Sequence, residues 1–85
     1  MPTIKNIAGP YRLFFFSFDC NEPKHVHVQR ENMICKYWLD PVSLANNHGY
    51  SASELNTIRK IITDNKVKIM EAWDEHCGHT SGSKN

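Results

Sequence analysis

The chain has 85 residues, 40% of them apolar, and ten Lys and Arg against nine Asp and Glu give a formal charge of +1. That length closes one hydrophobic core rather than two, and the composition is far from the low-hydrophobicity, high-charge profile of a disordered chain. The near-zero charge excludes a global field drawing the protein to nucleic acid or to an anionic membrane, so any such binding needs a local patch.

Thr3 to Ile7 reads as a short edge strand, ended by the Gly9-Pro10 turn, where Gly permits positive φ and Pro fixes φ. Tyr11 to Phe18 is aromatic and almost continuously apolar, as in a central strand covered on both faces. A loop over Asp19 to Lys24 follows. His25 to Arg30 and Ile34 to Leu39 are then two β-rich runs, and Asn32 between them accepts a left-handed conformation, which predicts a hairpin. Asp40-Pro41 closes the second run. Beyond it a short helical turn over Val42 to Ala45, capped by Asp40, and a turn at Asn46-Asn47-His48-Gly49 are expected.

Ser51-Ala52-Ser53-Glu54 has the spacing of a capping box and starts a helix. Leu55, Ile58, Ile62, Ile69 and Trp73 recur at intervals built of three and four, which makes an amphipathic helix ending near Cys77-Gly78 with Trp73 in the core. His76 and His79 fall at or past that end, where the helix dipole favours a cation. Unbroken, such a helix would be about 40 Å long at 1.5 Å per residue, too long for a domain this size, so a break near Thr63 to Lys66 is predicted. The expected fold is α+β: a small antiparallel sheet of three to four strands packed against one long or broken C-terminal helix. Residues 1–77 form the single domain and 78–85 a flexible tail.

Cys20, Cys35 and Cys77 are odd in number and form no CxxC, which predicts three reduced thiols in a cytoplasmic protein rather than a disulfide framework or zinc knuckle. The longest apolar run, Leu13 to Phe16, is too short to span a bilayer, and the N-terminus has no signal-peptide layout. No membrane partner is expected.

The hairpin loop sets a register that pairs Gln29 with Ile34, Val28 with Cys35, His27 with Lys36, Val26 with Tyr37 and His25 with Trp38. The apolar partners then face the helix. His25, His27, Gln29, Lys36 and Trp38 share the other face, joined by Arg12 from the aromatic strand. If the Asp19 to Lys24 loop is a plain reverse turn, Phe18 lies opposite His25 and Phe16 opposite His27. Imidazoles that titrate near neutrality exchange protons, Lys36 or Arg12 neutralises an oxyanion, and Trp38 and Gln29 contact a base, which suits a phosphate-containing target such as RNA. The plain alternative is two half-exposed residues on the polar face of a strand. No cofactor is otherwise expected. A divalent transition metal is the remaining use of the pair, with His25 and His27 as ligands at i and i+2 and Asp19, Glu22, Asp40, His48 or His76 as candidates to complete the set.

Met1-Pro2-Thr3, Tyr11-Arg12 with its Phe-rich strand, Pro23 to Val28 ending in His-Val-His-Val, Trp38-Leu39-Asp40-Pro41, Gly49-Tyr50-Ser51 and Glu71-Ala72-Trp73 occur in that order. Together they resemble the small bacterial family called domain of unknown function 4160. The resemblance implies a compact cytosolic α+β domain, encoded beside a small cognate protein in a two-gene arrangement like a toxin–antitoxin pair, and it brings no established activity. The family's segment before His-Val-His carries more prolines and often another His, where this chain has Asn21-Glu22-Pro23-Lys24. The function expected is that of a toxin-like or accessory member of such a module, an RNase-type protein acting through His25, His27, Lys36 and Arg12. A non-catalytic interaction domain is the alternative.

Overall fold

Alternation of large apolar residues with polar ones over 25–39 makes two strands that each bury one side, and the two residues between them close a tight hairpin. In the computed structural model, which describes Ile4, Ile7 and residues 9–78, the elements are β1 (Arg12–Phe14), a 3-10 turn (Asp19–Asn21), β2 (His25–Arg30), β3 (Met33–Leu39), β4 (Val42–His48), α1 (Ala52–Asp64) and α2 (Lys66–Cys77). The strands form one antiparallel sheet in the order β1-β2-β3-β4. The β2–β3 register is the one the hairpin loop predicts, from His25 opposite Trp38 to Gln29 opposite Ile34. The left-handed residue of that loop is Glu31, at φ 57°, rather than Asn32.

Val26, Val28, Cys35, Tyr37 and Leu39 point to one side and meet Ile58, Ile62, Ile69 and Trp73 of the helices. Ser51 caps α1 by accepting the amide of Glu54 at 3.2 Å. The return half of the capping box is not made, because Glu54 is engaged elsewhere: its Oε2 accepts Arg30 Nη2 at 2.6 Å and the Tyr11 hydroxyl at 3.0 Å. The long helix breaks at Asn65, inside the expected window, and Asn65 Nδ2 donates to the Ile61 carbonyl at 2.8 Å.

Four expectations are corrected. Val42 to Ala45 is not a helical turn but the start of β4, whose run of small and polar residues takes its strand geometry from pairing with β3, with a bulge opposite Lys36 and Tyr37. Asp40 therefore caps nothing there and sits in the β3–β4 turn. Gly49 then reverses the chain at φ 103°, where a Cβ would lie 2.9 Å from Met33 Cγ. The aromatic segment is regular only over Arg12–Phe14, with Phe14 rather than Phe16 opposite His27, because the connection to β2 is a ten-residue crossing and no plain reverse turn. The thiols are not all free: Cys20 and Cys77 form a disulfide across 57 residues of sequence, and Cys35 alone is a free thiol among the described residues.

Of the strand expected over Thr3 to Ile7, only Ile4 and Ile7 are described, and neither is in a strand, although Ile4 N donates to the Leu13 carbonyl at 2.8 Å. His79 and the tail beyond Gly78 lie outside the described residues. No described helix is long and apolar enough to cross a membrane.

Candidate metal centre

The crossing between β1 and β2 folds back over the sheet face that the helices leave open. Asp19 closes a turn back to Phe16 with both side chain and backbone: Oδ2 accepts Phe16 N at 2.7 Å while Asp19 N donates to the Phe16 carbonyl at 3.1 Å. This closed loop turns the carboxylate inward. His25 and His27, two apart on β2, project to the same side and meet it. His27 Nε2 lies 3.1 Å from Asp19 Oδ2, and His25 Nε2 lies 3.2 Å from Asp19 Oδ1.

Burial makes this arrangement costly. Asp19 is 2% exposed and His25 0%, and a polar group removed from water needs a partner. His25 Nδ1 is 2.8 Å from the Pro23 carbonyl. A carbonyl only accepts, so Nδ1 carries a proton, and in the neutral ring Nε2 presents a lone pair. That lone pair is close to Asp19 Oδ1 but not in hydrogen-bonding geometry, and it is the buried side-chain polar atom left without a hydrogen bond among the described residues. His27 is half-buried, and burial pushes its imidazole below the usual value, outweighing the opposing pull of Asp19. It is neutral at pH 7, the form that binds metals. One ligand atom from each of Asp19, His25 and His27 falls within 4.8 Å of the others.

A protein-family model described as Domain of unknown function (DUF4160) matches residues 11–74. The chain belongs to this family. The match takes in Asp19, His25 and His27 and ends before His76 and Cys77. No curated protein and no solved structure matches.

Around the DUF4160 cluster the rings of Phe14 and Phe16 pack on His27, with centroids at 5.4 and 4.6 Å, and Trp38 and Trp73 meet His25 edge-on at 5.7 and 5.2 Å. His25 is thus on the expected face, yet the end of α2 seals it from below through Trp73. Lys36 shares that face, its ammonium 4.5 Å from the Trp38 ring centre and 2.6 Å from Glu22 Oε1. The bond to Lys36 holds the Glu22 carboxyl below its ordinary value. Arg12 also lies on this face but further along β2, where Nη1 donates to Gln29 Oε1 at 3.4 Å and the guanidinium covers Phe14 at 4.8 Å. The structure therefore brings together His25, His27, Lys36 and Trp38, and sets Arg12 with Gln29 apart.

Asp19 is the residue that sequence reasoning underrated, as one of five candidates to complete a ligand set. Of the others, His48 pairs opposite Ile34 at the far end of the sheet, Asp40 occupies a turn and Glu22 turns to Lys36. His76 donates from Nε2 to the Phe16 carbonyl at 3.0 Å and belongs to a separate cluster with the disulfide. An Asp eight residues before the second His was legible, but its inward turn depends on the Phe16 backbone.

Proposed function

We propose that this DUF4160 domain holds one divalent first-row transition ion between Asp19, His25 and His27 and presents it, as a Lewis acid, to a phosphate-containing target such as RNA. The observation that carries the ion is His25 Nε2, a wholly buried ring nitrogen without a hydrogen bond, facing a buried carboxylate. A cation between them removes the conflict. Two imidazoles and a carboxylate are a common three-ligand set that leaves coordination positions for water or substrate, with ligand distances of about 2.0–2.2 Å for zinc. The Pro23 carbonyl on His25 Nδ1 is the outer contact that such a ligand ordinarily has. In the ion-free form His27 Nε2–H donates to Asp19, so the ion takes Nε2 as the proton moves to Nδ1.

His27 is the most exposed of the three residues. A phosphate-bearing target is supported by the company there. Lys36, paired with Glu22, flanks the centre and Arg12 lies further along the same face, and the stacked rings of Phe16 and Phe18, the latter 65% exposed, offer a surface for a base. In this reading the protein is the toxin-like or accessory member of a two-gene module, and its small cognate protein covers this face.

The test is elemental analysis of the purified chain, followed by titration with zinc and with manganese. In the disulfide form about one equivalent is expected in the wild type and none in His25→Ala or Asp19→Asn. Metal content in the wild type no higher than in His25→Ala sinks the centre. Growth arrest and RNA breakage on expression, both relieved in His27→Ala, support the target. A metal-loaded wild type that leaves growth and RNA untouched removes the target and keeps the centre.

A further inference from the structure

The same crossing carries a second donor set on its outer side. Cys20 follows Asp19 in the 3-10 turn, and His76 and Cys77 close α2, whose end is fixed by Gly78 in the left-handed region at φ 69° with its amide donating to the Asp74 carbonyl. One ligand atom from each of Cys20, His76 and Cys77 lies within 4.8 Å of the others. His76 is held as a ligand would be: Nε2 donates to the Phe16 carbonyl, the ring stacks on Phe15 with centroids 5.5 Å apart, and the lone pair is left on Nδ1. The Cys20 and Cys77 Cα atoms are 5.6 Å apart. Two thiolates and an imidazole form a soft set that favours zinc, unlike the nitrogen and oxygen donors of the first centre.

We propose that in the reduced chain Cys20, His76 and Cys77 bind one zinc ion, so that the disulfide and the zinc are alternative closures of the same joint. In a reducing compartment a dithiol supplies two electrons and two protons to the Cys20–Cys77 bond and itself closes to a disulfide. Zn²⁺ then displaces the two thiol protons, forms two Zn–S bonds and accepts the His76 lone pair, with water in the fourth position. Either closure ties the turn that carries Asp19 to the end of α2. Cys35 takes no part, because it lies in the core, where burial pushes its thiol up to about 12.

The experiment is a cobalt titration of the Cys35→Ala chain, both as the disulfide form and after reduction with a dithiol that is then removed. Sulfur-to-cobalt charge-transfer absorption is expected only in the reduced form, with an intensity that fits one cobalt on two thiolates, displaced by zinc and absent in the Cys77→Ser variant. His76→Ala should weaken binding at least tenfold with the circular dichroism unchanged. No such band in the reduced chain, wild type or Cys35→Ala, overturns the proposal, as does a band that survives Cys77→Ser. Imidazole and carboxylate ligands give no band of this kind, so failure of the Asp19 centre leaves this readout unmoved, and His25→Ala should retain it.

Discussion

Both faces of the sheet bury side chains, by opposite means. Toward the helices, Leu13, Phe15, Val26, Val28, Cys35, Tyr37 and Leu39 are covered by Ile58, Ile62, Ile69 and Trp73, and every contact removes apolar surface from water at about 25 cal/mol per Å². On the other face Phe14, Asp19 and His25 are covered mainly by the β1–β2 crossing, and two of the three are ionisable. Burial there costs free energy unless each charge or lone pair is matched. One face holds the fold together. The other holds two ionisable side chains against each other out of water.

The largest effect is expected at the helix-covered face. Ile62→Ala, at 0% exposure, should lower stability by about 2–5 kcal/mol in urea unfolding while the folded fraction still binds metal. Alkaline pH should act on the same face: burial raises Cys35 and Tyr50 to about 12 each. A group that gives up its proton less readily when folded contributes stability in full below its unfolded value and loses it as pH rises toward the folded one. Stability should therefore fall between about pH 9 and 12, and Cys35→Ala and Tyr50→Phe should each flatten part of the slope.

Effects on the open face are smaller and ion-dependent. At a hundredfold excess over its dissociation constant, zinc should raise the stability of the disulfide form by about 2.7 kcal/mol, with no gain in Asp19→Asn. Loss of the Ser51 cap in Ser51→Ala should cost about 1 kcal/mol whether or not metal is present. Phe18→Ser, at a residue 65% exposed, should change stability by less than about 0.5 kcal/mol and report only on target binding.

The hairpin, the helix start at Ser51 and the break at Asn65 were legible because each is written in local residues: alternation, a cap and a stretch of weak helix formers. β4 was not, since Ala45, Asn46 and Asn47 have no strand preference of their own and the strand exists through its partner. For the same reason His25 and His27 could be placed on one face with Lys36 and Trp38, whereas the burial of His25 could not be read. It depends on Trp73, far along the chain, and on a crossing whose path is set by the Asp19 carboxylate. The Cys20–Cys77 pair hid likewise: its spacing matches no motif, and only the packing of α2 against the crossing brings the two together.

The sharpest probe of the Asp19, His25 and His27 centre is X-ray absorption at the zinc edge of the disulfide form, loaded with one equivalent. Nitrogen and oxygen neighbours only are expected, with the multiple-scattering signature of two imidazoles. A sulfur neighbour in that form, or a zinc shell without imidazole, would contradict it.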